Sequence, residues 1–231
     1  MTMPFYVAPE QLMKDKADYA RKGIARGRSL VGIVFSGGIL LAAENPSRTL
    51  HKISEIYDRI AFAGVGKFNE FDSLRVAGVR HADTKGYAYS REDVDARSLA
   101  NAYAQLIGQV FTHDMKPMEV EILVAEVAGP NSDPTDGSRD QLYHILYDGT
   151  VFDEDRFTVL GGEAEVIAQR MEASYREDMA LGDAVKAAVG ALAGPDRTLE
   201  PKDLEVALLD RTAERRAFRR IEDPELSTYL A

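Results

Sequence analysis

The sequence predicts an α+β chain built as a four-layer α-β-β-α sandwich. Two antiparallel sheets lie face to face, a helix pair covers each outer face, and an extra helix precedes the first strand. Three observations predict this. Strand-type runs come in hairpin groups and helical segments in pairs, without the regular β-α-β alternation of a doubly wound parallel sheet. The strand runs are almost continuously apolar, as in Ile39–Ala43, which suits sheets covered on both faces. Apolar residues make up 45% of the 231 positions, enough for one large core.

Each element has its own signal. Glu10–Arg26 reads as a helix, because Met13, Ala17, Ala20 and Ile24 fall on one stripe and Pro9 suits a helix start. Leu30–Phe35 and Ile39–Ala43 flank Gly37-Gly38, the composition of a tight hairpin. His51–Ile56 and Ile60–Val65 form a second strand pair. Asn69–Ala82 is a helix with Phe71, Leu74 and Gly78 inward. Val94–Phe111 is the best helix, its apolar face traced by Ala96, Leu99, Ala100, Tyr103, Leu106, Ile107, Val110 and Phe111.

Strands Glu119–Val127 and Gln141–Tyr147 enclose a long polar loop over 129–139, and Asp148-Gly149 is a turn. Arg156–Leu160 is a short strand. Gly161-Gly162 leads into a helix over Glu163–Arg176, and the next helix, Leu181–Ala193, stops at Gly194-Pro195. Leu204–Leu209 and Arg216–Ile221 make a last hairpin, and Asp223 is expected to cap a short terminal helix.

Composition excludes several functions. A net charge of −10 argues against binding a nucleic-acid backbone, which needs clustered lysine and arginine. With no cysteine there are no disulfides, thiol nucleophiles or thiolate metal sites. The histidines, His51, His81, His113 and His144, lack metal-ligand spacing, so neither a metal nor another cofactor is expected. Gly161-Gly162-Glu163 lacks the ending of a phosphate-binding loop. The run Arg211, Arg215, Arg216, Arg219 and Arg220 is matched by Asp210, Glu214, Glu222 and Asp223, which points to local pairing or a subunit contact. No apolar run approaches ~20 residues, so no membrane span is expected. Met1–Tyr6 has no signal-peptide pattern, and a soluble cytoplasmic protein follows as the default.

Four segments carry a resemblance to a family. The hairpin Gly27–Glu44 resembles the opening hairpin of proteasome subunits. Ala8-Pro9-Glu10-Gln11 followed by Tyr19-Ala20-Arg21-Lys22-Gly23 is similar to the α-type signature. Lys52-Ile53-Ser54-Glu55-Ile56-Tyr57-Asp58 matches the third-strand pattern, and Gly66-Lys67-Phe68-Asn69-Glu70-Phe71-Asp72 the start of the first sandwich helix. The wording, as in Ala43-Glu44-Asn45-Pro46-Ser47-Arg48, is similar to bacterial, actinomycete-type α subunits. The resemblance covers nearly the whole chain and implies the N-terminal-nucleophile hydrolase fold, with residues 1–8 as a gating segment and 9–231 as one domain. Helix 9–27 and sandwich 28–223 would divide that domain.

The family's chemistry needs an N-terminal threonine with a lysine and an acid beside it. Arg28 stands at the threonine position, Glu44 at the acidic one and Lys52 at the lysine one. Arginine is no acyl-transfer nucleophile, and a helix precedes it, so no catalytic residue is assigned. Lys52 is implied instead to dock the C-terminal carboxylate of an activator tail. Met3, Pro4, Phe5, Tyr6, Pro9 and Tyr19 are implied gate residues, although the archaeal Tyr-Asp-Arg start is absent. Thr112, His113, Asp114, Met115 and Lys116 fall where the family builds the inner constriction.

The implied assembly is a homo-heptameric ring in an α7β7β7α7 particle. Its partners are neighbouring α subunits, β subunits, a ring ATPase activator and unfolded or tagged protein substrates in transit. Two other readings remain open. One is an active hydrolase self-processed near Arg28 or Ser29. The other is a stand-alone binding domain of the same fold.

Overall fold

The computed structural model describes residues 8–129 and 139–231. Met3, Pro4, Phe5 and Tyr6, and most of the 129–139 loop, lie outside them. Helix α1 is Pro9–Ile24. Strands β1 (Leu30–Phe35), β2 (Gly38–Glu44), β3 (Ile53–Tyr57) and β4 (Ile60–Gly66) follow. Helices α2 (Phe68–Ala88) and α3 (Ala96–His113) come next, then strands β5 (Val120–Glu126), β6 (Gln141–Ile145), β7 (Val151–Glu154) and β8 (Phe157–Leu160). Helices α4 (Ala164–Ser174) and α5 (Leu181–Ala193), strands β9 (Leu204–Asp210) and β10 (Phe218–Ile221), and helix α6 (Asp223–Leu230) complete the order.

The strands form two five-stranded sheets, β10-β9-β2-β1-β8 and β3-β4-β5-β6-β7, antiparallel throughout. Side chains alternate along each strand, so one strand feeds two cores. From β1 and β2, Val31, Ile33 and Leu40 face Met171, Val185, Ala188 and Leu192 of α4 and α5. Leu30, Ile39 and Leu41 face the other way, into the space between the sheets. There they meet small residues, Ala61, Ala63 and Ala125, with Leu123. Bulky residues on one sheet opposite alanines on the other let the sheets pack closely. The outer face of the second sheet, Ile60, Phe62, Ile122 and Val124, packs on Phe71, Leu74, Leu99, Tyr103 and Ile107 of α2 and α3.

The first hairpin turns at Gly37-Gly38. Gly38 has φ 137°, and a Cβ there would lie 2.1 Å from the Leu209 carbonyl oxygen of β9. The turn and the neighbouring strand therefore both require glycine. Helix α1 stands outside both helical layers, since its Ala20 and Ile24 enter the core between the sheets.

The observed elements depart from the sequence reading in particular places. Strand β7 was not anticipated: its short Val-Phe-Asp-Glu run is an edge strand, formed by pairing with Leu142–Ile145 rather than by its own pattern. Helix α2 runs on to Ala88, where the absent Cβ of Gly86 lets the Tyr57 ring of β3 approach. Leu106 is 37% exposed and Val110 half-buried, and Phe111 packs half-buried against the core between the sheets rather than under α3 with Ile107. Asp223 does not cap α6; Glu222 holds that position, and the Asp223 carboxylate pairs with Arg48 at 2.6 Å. Leu226 of α6 is buried against α5, within the expected 9–231 domain.

Candidate functional site

The chain passes from α1 through Ala25-Arg26-Gly27 to Arg28, just before β1. The β1–β2 register places this residue beside Glu44, whose N–H donates to the Ser29 carbonyl at 3.2 Å. Glu44 is buried, and two guanidinium groups hold it. Arg28 bonds one carboxylate oxygen, and Arg197 reaches both oxygens at 3.3 Å. The third residue of the expected group comes from the second sheet. Lys52, directly ahead of β3, is half-buried and donates from Nζ to the Arg28 carbonyl at 2.5 Å.

A buried carboxylate ties this lysine into the fold. Glu205 sits on β9 with its side chain on the inner face, since Leu204, Val206 and Leu208 point to the helices. It accepts from the N–H of Lys52 at 2.8 Å and of Ile53 at 3.2 Å. It also accepts from the Asn45 amide and the Arg220 guanidinium, each at 2.7 Å. Glu205 thus pins β3 of one sheet to β9 of the other. Burial pushes the Lys52 ammonium down to about 8, against the pull of Glu205 and Glu44 and with the push of Arg28.

Chemically, this cluster offers no acyl transfer. Residue 28 has no hydroxyl, its nitrogen is an internal amide, and Ser29 is buried behind it. Both nearby carboxylates are engaged by other groups, which leaves Lys52 without a dedicated acid of its own. Such a lysine suits an incoming carboxylate.

The second predicted group lies where α3 ends. Thr112 and His113 form the last turn of α3 rather than a loop, and Asp114 follows as the C-cap. Met115 is almost fully exposed. Lys116 is clamped, bonding Glu70 at 2.7 Å and Glu119 at 3.0 Å. The hydrogen bond to Glu70 raises the Lys116 pKa further above the usual lysine range. Burial works against the Glu70 carboxylate, but Lys116 and the Glu119 N–H outweigh it and lower its pKa. Tyr19, on α1, sets its ring 5.8 Å from Lys116 Nζ, so a residue of the expected gate meets one of the expected constriction. Pro9 occupies the exposed first turn of α1.

Among the described residues, no group of three or more acidic, histidine or cysteine side chains could hold a metal ion. No described helix is long and apolar enough to cross a membrane. A family model described as "Proteasome subunit" matches residues 24–208. The chain belongs to the proteasome subunit family.

The relatives place it among α-type proteasome subunits. A "Proteasome subunit alpha" of Acidimicrobium ferrooxidans is 63% identical over 100% of this chain and 97% of its own length. One of Sanguibacter keddieii is 58% identical over 100% and 90%, and one of Thermomonospora curvata 54% over 100% and 99%.

Sequence reasoning missed three polar residues here. Glu205 was marked by being the lone charge inside the apolar run Leu204–Leu209. Lys16 of α1, which donates to the Phe111 and Thr112 carbonyls at the end of α3, was marked by its place beside the α1 stripe, between Met13 and Ala20. Arg197 carried no signal, because it follows a helix stop in a polar stretch.

Proposed function

We propose that this chain is a non-catalytic α subunit of the 20S proteasome core, forming heptameric outer rings that stack on β rings in an α7β7β7α7 particle. The single observation that supports the non-catalytic reading is at residue 28. The chain runs unbroken through an arginine whose side chain bonds Glu44 and whose carbonyl accepts from Lys52. The acid beside it, Glu44, is already held by Arg28 and Arg197.

In this reading the subunit works by position. Lys52 receives the tail carboxylate of a ring ATPase activator. Met3, Pro4, Phe5 and Tyr6, with Pro9 and Tyr19 at α1, gate the axial pore, and residues 112–116 line its inner constriction. Unfolded or tagged proteins pass through to the β chamber, in the cytoplasm.

Co-expression with a cognate β subunit tests the reading. The expected result is a particle in which the chain keeps its full mass and takes no label from a threonine-directed covalent inhibitor. A labelled adduct on this chain, or a mass cut back to Arg28 or Ser29, would overturn it in favour of a self-processed hydrolase. A monomer in the presence of β subunits would favour a stand-alone domain.

A further inference from the structure

Lys16 is the only lysine among the described residues that is fully buried, at 6% exposure. It lies on α1, one helical turn before Ala20, which enters the core between the sheets. Its Nζ donates to the carbonyl oxygens of Phe111 at 3.0 Å and Thr112 at 3.4 Å. Both carbonyls belong to the last turn of α3, which a helix leaves without N–H donors of its own. An ammonium at a helix C-terminus also meets the negative end of the helix dipole.

Two further contacts run alongside. Phe111 packs partly buried against the same core as Ala17 and Ala20 of α1. Three residues beyond Lys16, Tyr19 flanks Lys116. Lys116 is in turn fastened to Glu70 of α2 and to Glu119 ahead of β5. The segment after α3 is therefore held by α1 at its start and by α1, α2 and the entrance to β5 at its end.

We propose that Lys16 is a positioning residue that makes α1 and the 112–116 segment one mechanical unit, so that a partner shifting α1 also reshapes that segment. The consequence for transport rests on the reading of 112–116 as the pore constriction. The coupling itself does not.

Hydrogen exchange on the full chain, alone and assembled with β subunits, separates the two. Lys16→Met keeps the buried stem and removes the N–H donors. It should speed amide exchange over residues 112–118 by about tenfold or more while β4 and β5 keep their protection. Passage of unfolded protein into the particle should change, with β-threonine reactivity towards a small covalent inhibitor held constant. Lys16→Arg, which retains N–H donors, should stay close to the parent chain.

Unchanged exchange over 112–118 in Lys16→Met overturns the coupling, as does faster exchange throughout the domain. Equally faster exchange in the Arg and Met variants also overturns it, because only the Arg variant retains N–H donors. Faster local exchange with unaltered passage leaves the coupling standing and removes 112–116 from the pore.

Discussion

Lys52 and Lys116 each sit beside two glutamates, yet their ammonium groups shift in opposite directions. Lys116 is half exposed and has Glu70 and Glu119 directly on its Nζ, so its proton is held more tightly. Lys52 has Glu44 and Glu205 nearby, but Glu44 is taken by two arginines and Glu205 by backbone N–H groups and Arg220. Burial then dominates, and the proton is held less tightly. The nearness of an acid does not decide a lysine's role; what else that acid is bonded to does. Lys116 is a clamp between two carboxylates, whereas Lys52 is a half-buried cation bonded to a backbone carbonyl.

The largest test removes the acid that organises the Lys52 side. Glu205→Ala leaves the Lys52 and Ile53 N–H groups without this acceptor and removes one bond each from the Asn45 amide and the Arg220 guanidinium. Chemical denaturation should show a loss of about 3–5 kcal/mol. A loss under about 1 kcal/mol would mean that water replaces Glu205 and that the two lysine sites do not differ as described.

Next in size, Lys52→Glu places a like charge in front of an incoming tail carboxylate. Degradation stimulated by a tail-docking ATPase should fall by at least about tenfold in particles that still assemble. Stimulation equal to that of the parent particle would take Lys52 out of the docking site.

A pH series sharpens the comparison. Because the folded Lys52 releases its proton near pH 8, below the ordinary lysine value, the unfolded chain binds more protons between those two pH values. This group's contribution to stability therefore rises with pH across that window, while its pairing with a carboxylate falls. ATPase stimulation should decline between about pH 7 and about pH 9, and Lys52→Arg, which stays protonated, should flatten the decline. An equal decline in both would place the titrating group elsewhere.

The smallest effect belongs to Lys116. Its ammonium is half exposed and screened, so Lys116→Met should cost no more than about 1 kcal/mol, and less in high salt. A loss as large as that of Glu205→Ala would erase the distinction between a surface clamp and a buried hub.

Much of this was legible in the residues. The nearly continuous apolar runs Leu30–Phe35 and Ile39–Ala43 announce strands with two buried faces, and the two faces do enter two different cores. Phe71, Leu74 and Gly78 mark the inward side of α2, and all three are buried. The Arg28 position was read from the resemblance of the hairpin to the family's opening strands, and a nucleophile is a matter of residue type. The 112–116 segment could be placed but not shaped: Thr112 and His113 are drawn into α3, whose end is held by a lysine on another helix.

By itself, then, the sequence determined the layers, their order, the family and the missing hydroxyl at residue 28. These depend on local periodicity and on the identity of single side chains. Only the tertiary structure decided which polar groups meet. Lys16 finds its carbonyl 95 positions away, and Glu205 lies 153 positions from the Lys52 N–H that it accepts. A hydrogen bond acts over about 3 Å, so its partners are chosen by how the layers stack, and no pattern along the chain encodes that distance.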